Sequence, residues 1–240
     1  MAVSGGTGRL PRDKFWLSPD ALGRMSRSTH VLAAGLLLTA AVVLAQTASQ
    51  LIDFHFYDLR LRVLDSDHHA SVFGAASILA QAAAAATIGL RAVSMRRPAS
   101  RLAAVLVGVL TIPRALMRYE PMFARYDVPI LVAPLMFIFV VLAASAFRDA
   151  RRVRVMVWGS LVLLACSFAL HAVGPQADAD GRATTYPITR TWAYQATGML
   201  KHGAELAGWM LLATGIAASS LASCGGRPAR LQQRRRRWAA

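Results

Sequence analysis

The last long apolar stretch of the chain carries three ionisable side chains close together. Lys201, His202 and Glu205 occupy little more than one turn. At 100° per residue they fall within a sector of roughly 100° on a helix. A charged side chain in a bilayer is energetically expensive, so it faces the interior of a helix bundle and finds a partner. The spacing predicts a buried polar site with Glu205 as its central charge and Lys201, one turn away, as a candidate partner.

Two more ionisable residues lie at the ends of other apolar stretches. Arg114 follows Pro113 in the third stretch, and His171 ends the fifth. Arg114 is a second candidate partner for Glu205 if the third and sixth stretches are neighbours, because an arginine can bind a carboxylate with two parallel hydrogen bonds. The predicted ligand-binding or buried polar cluster therefore comprises Glu205, His202, Lys201, Arg114 and His171.

Three roles fit such a cluster: an ion pair that pins helices together, a pocket for a small polar ligand or for protons, and a metal site. The candidate metal ligands are His68, His69, His171 and His202. Their spacing favours the metal role least, because the chain has no HExxH motif and adjacent histidines on a helix point in different directions.

Other chemical signatures are missing from the sequence. It contains no glycine-rich phosphate loop, no G-x-S-x-G nucleophile elbow and no CxxC pair. Its two cysteines, Cys166 and Cys224, do not make a metal cluster. The sequence therefore assigns no catalytic residue and identifies no cofactor, and it favours a non-enzymatic role.

The elements that must position these residues are apolar. Hydrophobic residues make up 55% of the chain and charged residues 16%, against about 25% charged in typical soluble proteins. The sequence predicts an all-α integral membrane protein with six transmembrane helices and no soluble domain, because about 20 residues are needed for each span. The predicted spans are residues 31–52, 70–90, 102–119, 128–147, 155–173 and 196–222.

The basic residues lie on alternating sides of these stretches. Most of the 27 Lys and Arg residues fall in the N-terminal segment, in residues 91–101 and 148–154, and in the tail. Short connections rich in Lys and Arg stay cytoplasmic. We therefore expect a cytoplasmic tail at 1–28, a transmembrane bundle at 29–223 and a basic cytoplasmic tail at 224–240.

The same asymmetry explains the net charge of +15. Anionic lipid headgroups at the cytoplasmic face are the expected partners of these arginines, and no nucleic-acid partner is expected. The abundance of Arg and Ala is typical of a GC-rich bacterial genome, which indicates a bacterial inner (plasma) membrane.

Two spans have special features. The third offers only twelve residues from Leu102 through Pro113, about 18 Å of helix, so it either carries Arg114 into the membrane or is re-entrant. The second is rich in alanine, which favours close helix packing. Its Gln81 is expected to hydrogen-bond to a neighbouring helix.

The leading functional hypothesis is a non-catalytic inner-membrane protein with an outward-facing polar pocket, acting as a binding protein or as an accessory subunit of a membrane complex. A small-solute or proton-coupled transporter is the first alternative. An intramembrane metal-dependent hydrolase is the second.

Overall fold

The computed structural model describes residues 19–57, 61, 63–64, 71–115, 128–147, 149–181 and 192–224. All regular structure within these ranges is helical, as predicted. The six helices are α1 (Pro19–Phe56), α2 (Val72–Met95), α3 (Pro98–Ala115), α4 (Val128–Ala146), α5 (Arg151–Gly181) and α6 (Trp192–Cys224).

Four of the described helices, α1, α2, α5 and α6, are long and apolar enough to cross a membrane. The other two contain shorter apolar segments, Pro98–Ile112 in α3 and Pro134–Ala146 in α4. The surface is apolar as well, with Leu37, Leu79 and Leu200 each at least 65% exposed. Large exposed apolar areas are rare on soluble monomers. The architecture is therefore that of an all-helical chain suited to a membrane.

Several helices extend beyond the apolar stretches. Residues 19–28, predicted to belong to a tail, are part of α1, and Asp53, predicted to lie in a connection, is in its last turn. Likewise, α5 continues to Gly181. Hydropathy marks only the lipid-compatible part of a helix, whereas backbone hydrogen bonds continue into more polar sequence.

The predicted connection at residues 91–101 consists of the end of α2, a tight turn at Arg96 and Arg97, and the start of α3. Ser71 caps the start of α2 by accepting a hydrogen bond from the Gly74 amide. At its other end Arg96 adopts the left-handed conformation, with φ of 53°. Pro98 then starts α3, because proline's fixed φ and missing N–H suit the first turn of a helix.

As a result α3 begins four residues earlier than predicted. Its 18 residues rise about 27 Å, well beyond the 18 Å that the apolar run indicated. Residues 116–127, which follow Arg114 and Ala115, lie outside the described ranges.

The central helix is α6. It packs on α5, α1 and α2, whereas α3 packs mainly on α2 and α4. Half of its most apolar window is buried, against 17% for α1. Trp209, Leu212 and Ile216 of α6 are among the most deeply buried large side chains. The residues that α6 carries therefore form the middle of the molecule.

Glycines let neighbouring helices approach α6 closely. A Cβ atom built on Gly208 would lie 2.6 Å from Cγ of Leu164 and 3.2 Å from the Ser160 carbonyl oxygen of α5. A Cβ atom on Gly35 of α1 would collide with Thr214 of α6. Such contacts provide dispersion energy that holds helices together where lipid competes for apolar surface.

We predict that Gly208→Ala destabilises the bundle. The added methyl group overlaps Leu164 and approaches the α5 backbone, and overpacking of this kind costs about 1–3 kcal/mol. Thermal unfolding of the purified variant in detergent measures the loss.

The matched control is Gly203→Ala on the same helix. Its nearest neighbour would be Val43 Cγ1 at 3.7 Å, an ordinary contact. Alanine is the better helix former by about 0.8–1.0 kcal/mol, so this variant should keep or raise the melting temperature. Equal melting temperatures for the two variants would contradict the close approach of α5 and α6.

Candidate functional site

Three elements meet at a buried ion pair. Nη2 of Arg91 in α2 donates to both carboxylate oxygens of Asp149, at 2.7 and 2.9 Å. Oγ of Ser219 in α6 donates to Oδ1 of the same carboxylate at 2.9 Å. The side chains of Arg91 and Asp149 are only 8% and 7% exposed. We call Arg91, Asp149 and Ser219 the clamp.

Neighbouring contacts show which helix ends come together. Ser28 of α1 donates to the Ala218 carbonyl at 3.3 Å, and Arg152 of α5 reaches the Thr29 hydroxyl at 3.5 Å. The clamp and these contacts lie at one end of the bundle, together with the Arg96–Arg97 turn. We call this the basic end, and the opposite end the distal end.

The clamp also fixes which face of α2 meets α6. A buried stripe runs along α2 at helical spacing: Ser77, Gln81, Ala84, Ile88 and Arg91. Because Arg91 at one end of the stripe contacts Asp149 beside Ser219, the stripe faces α6.

The same contact sets the register between these two helices. Both α2 and α6 run toward the basic end, and Arg91 lies level with Ser219. Ten residues toward the distal end, Gln81 lies level with Trp209, about 15 Å from the clamp at 1.5 Å per residue. A further turn away, at about 21 Å, Ser77 lies level with Glu205.

Helix α5 adds a residue at this depth. It runs antiparallel to α6, and the Gly208 position lies against Leu164. Three residues from this contact toward the distal end are Ser167 on α5 and Glu205 on α6. These two residues therefore lie at the same depth. Ser167 is fully buried and Glu205 is 4% exposed.

Five buried side chains from three helices therefore lie at a similar depth, and we call this set the polar cluster. Its members are Ser77 and Gln81 of α2, Ser167 of α5, and Glu205 and Trp209 of α6. Each is at least 95% buried.

Several atoms of the polar cluster lack a hydrogen-bond partner among the described residues. These atoms are Ser77 Oγ, Gln81 Oε1, Ser167 Oγ and Trp209 Nε1. An unsatisfied buried polar group costs about 1–3 kcal/mol. Four of them at similar depth indicate a place where something else supplies hydrogen bonds.

The structure places the predicted site residues as follows. Glu205 is buried, and His202 one turn away brings Nδ1 to 4.0 Å from Oε2 of Glu205. Lys201 is half-buried on the same helix. Arg114 is in α3 and His171 in α5, with side chains outside the described part of the structure.

The main neighbours of α6 are α1, α2 and α5. Arg114 lies on α3, which packs mainly on α2 and α4, and its pairing with Glu205 stays a prediction. Gln81, expected to bond to a neighbouring helix, faces α6, but its Oε1 has no hydrogen-bond partner within the described ranges.

A second polar stripe, the α1 stripe, lies on the buried face of α1 toward the distal end. It comprises Gln46, Gln50 and Asp53, all at most 2% exposed. Gln50 Nε2 donates to Oε1 of Gln195 in α6 at 2.6 Å. Asp53 Oδ1 accepts from the Leu61 amide at 3.0 Å.

Toward the basic end the interface is apolar instead. Ala84 and Ile88 of α2 face Leu212 and Ile216 of α6, and none is more than 2% exposed. We call these four residues the apolar plug. It separates the polar cluster from the clamp.

Metal ligands are not gathered in the described part of the chain, where no three His, Cys, Asp or Glu side chains form a metal-binding group. Of the four candidate histidines, His68, His69 and the side chain of His171 lie outside the described part of the structure, and His202 approaches Glu205 at 4.0 Å.

Comparison with protein-family models, curated proteins and solved structures finds no match. The function is therefore inferred from the residues of this chain alone.

Sequence reasoning missed the clamp and the α1 stripe, although both left signals. Asp149 is the only acidic residue in the basic segment 148–154, and Arg91 continues the spacing of Gln81 and Ile88. Gln46, Gln50 and Asp53 are spaced four and three residues apart, as on one helix face. No local spacing pairs Arg91 with Asp149, because 58 residues separate them.

We predict that Asp149→Ala destabilises the protein by about 3–5 kcal/mol, since it leaves the buried guanidinium of Arg91 without a counter-charge. Adding Arg91→Met should recover part of the loss, because the double variant buries no unpaired charge. Melting temperatures of the single and double variants test this.

Arg101→Ala is the control. Arg101 is exposed near the start of α3, and removal of an exposed surface charge changes stability by less than about 0.5 kcal/mol. A melting temperature for Asp149→Ala equal to that of Arg101→Ala would show that the clamp contributes nothing.

Proposed function

We propose that this chain is a six-span protein of a bacterial inner membrane that binds a small polar ligand in the polar cluster, from the outer side. Its role would be that of a binding protein or of an accessory subunit in a membrane complex. The observation that carries this proposal is the set of unpartnered buried atoms of α2, α5 and α6 at the depth of Glu205.

The orientation follows from charge. The basic end gathers the arginine-rich segments, which the insertion machinery keeps in the cytoplasm. Anionic lipid headgroups are the partners expected there. With a hydrocarbon layer of about 30 Å, Glu205 at about 21 Å from the clamp lies in the outer half of the membrane.

The direction of access follows from the two sides of the polar cluster. The apolar plug and the clamp close it toward the cytoplasm. The α1 stripe, together with Gln195, places further buried polar groups toward the outside. An outward-facing pocket is therefore the arrangement that these contacts support best.

A transporter is the second candidate, favoured by the depth that the polar cluster reaches. It requires a path to the cytoplasm as well. The apolar plug would have to separate and the clamp would have to break, which makes transport the more demanding proposal. A metal-dependent hydrolase needs several metal ligands close together, and the described residues contain no such group.

Thiol labelling tests the pocket. In a background with Cys166→Ser and Cys224→Ser, the variant Ser77→Cys should react with a small membrane-impermeant thiosulfonate added outside intact cells. The introduced thiol replaces a hydroxyl in the polar cluster and lies in the ligand's path.

Ala84→Cys is the matched control, two turns further along the same buried face. It belongs to the apolar plug, so external reagent should leave it unmodified. Reaction of both thiols at equal rates, or of neither, would overturn the outward-facing pocket.

Reporter fusions test the topology. Green fluorescent protein fused after Ala240 should fluoresce, and alkaline phosphatase fused there should be inactive, because that enzyme needs the oxidising exterior for its disulfides. Active phosphatase at this position would reverse the proposed orientation.

A further inference from the structure

We propose that an apolar groove beside α6 binds one acyl chain of a membrane phospholipid from the leaflet at the distal end. The groove has a volume of about 530 Å³ and is lined by residues of α1, α5 and α6. It is separate from the polar cluster, because Glu205 follows the lining residue Gly203 by two residues, which turns a side chain by about 200° around the helix. The inference therefore goes beyond the proposed function, and it needs only that the helices lie in a membrane.

The lining of the groove favours a hydrocarbon ligand. Among the described lining residues, only Thr47 and Trp192 carry an oxygen or nitrogen on the side chain. The Thr47 hydroxyl donates to the Val43 carbonyl oxygen at 3.0 Å, within its own helix. Cavities with apolar walls take up apolar guests, because the walls offer water no hydrogen bonds. A polar ligand would therefore gain little here, whereas a hydrocarbon chain fits.

Small residues of α6 form the floor of the groove. Ala196, Gly203 and Ala207 line it, and their spacings of seven and four residues place them on one face of the helix. Larger side chains stand beside them, with Leu51 on α1 and Leu163 on α5. A narrow guest can therefore approach the α6 backbone closely and gain dispersion contacts on several sides.

The distal end of the groove lies at the level of the lipid headgroups. Trp192 lines this end, and its ring lies beside Phe54 and His55 of α1, with ring centroids 6.0 and 6.2 Å apart. Trp192 and His55 are both exposed. Tryptophan side chains are enriched at the interface between membrane and water. These three rings therefore mark the place where a lipid chain would enter the groove.

The length of the groove matches one leaflet. The step of fifteen residues from Trp192 to Ala207 rises about 22 Å along the helix. Half of a bilayer that is about 40–45 Å thick with its headgroups measures about 20–22 Å. A chain that enters beside Trp192 would therefore end near Ala207, in the middle of the membrane.

The basic half of the same region is closed, which argues against a transmembrane helix as the occupant. Arg152 of α5 reaches the Thr29 hydroxyl of α1 at 3.5 Å, and Gly35 of α1 lies directly against Thr214 of α6. A partner helix that crosses the bilayer needs about 20 residues of open face. The groove opens only toward the distal end, as a chain of one leaflet requires.

Photocrosslinking tests the site. The purified chain is placed in nanodiscs with a phosphatidylethanolamine that carries a diazirine on one acyl chain, either near the carbonyl group or near the terminal methyl group. After irradiation, mass spectrometry of peptides locates the label. The carbonyl-side probe should label the chain around Trp192 and Ala196. The methyl-side probe should label it around Ala207 and Leu163.

Exposed residues of α3 provide the background for ordinary lipid contact. Val105 and Val109 are 59% and 53% exposed. The methyl-side probe should label the groove more strongly than these two positions. Equal labelling of the groove and of α3 would overturn the proposal, and so would the same labelled positions for both probes.

Two variants fill the groove with a larger side chain. Ala207→Phe obstructs its inner end and Ala196→Phe its distal part, so each should lose most of the groove labelling. Ala45→Phe is the matched control, because Ala45 is exposed and lies two residues from Val43, on the other side of α1. It should keep the full labelling. If one groove variant fails to fold, the other still decides, and full labelling in a folded groove variant overturns the site.

A second copy of the chain is the competing occupant. In the background with Cys166→Ser and Cys224→Ser, the variant Leu200→Cys places a thiol at the rim of the groove, where Leu200 is 65% exposed. Oxidation in native membranes should give no disulfide-linked dimer if lipid covers the groove. A dimer linked through this position would show that protein covers it and would overturn the lipid site.

Discussion

The arrangement of the helices depends on the contacts that the buried carboxylate of Asp149 makes. It binds Arg91 of α2 and Ser219 of α6 in a largely dehydrated place. A buried charge left alone is very costly, so these groups cannot separate without a large loss of stability. Because Asp149 directly precedes α5, one carboxylate fixes the relative depth of the three helices that contribute the polar cluster. The positions of Ser77, Ser167 and Glu205 are then determined by the rise of the helix alone.

Along the interface of α2 and α6 the chemistry changes in layers. A charged layer at the basic end is followed by the apolar plug and then by the polar cluster. Dispersion and close packing stabilise the apolar plug. In the next layer, buried oxygens at the depth of Glu205 lack hydrogen-bond partners among the described residues. The clamp satisfies its charges internally, while the polar cluster has hydrogen-bonding capacity that the described residues do not use.

Sequence patterns predicted the helical class and approximate positions of the helices, because hydrophobic stretches must be about the length of a bilayer. Glu205 as a buried charge also followed from the sequence. Patterns did not predict which helices touch. The main neighbours of α6 are α1, α2 and α5, a set that the sequence does not indicate, and the pairing of Glu205 with Arg114 stays a prediction. Helix ends were misplaced where capping decides them, as at Ser71 and at Arg96 before Pro98. Residues on different helices meet through three-dimensional packing, and no local period encodes the partner.

The clamp also has a consequence for the order in which the chain is made. Arg91 precedes Asp149 by 58 residues. At a synthesis rate of about 5–20 residues per second, the ribosome needs roughly 3–12 s to deliver the acidic partner. During that interval the arginine is a bare positive charge that favours the cytoplasmic side. After Asp149 arrives, the same residue is neutralised and holds helices together. In the proposed orientation, a single side chain thus first directs how the second helix enters the bilayer and later holds the finished assembly together.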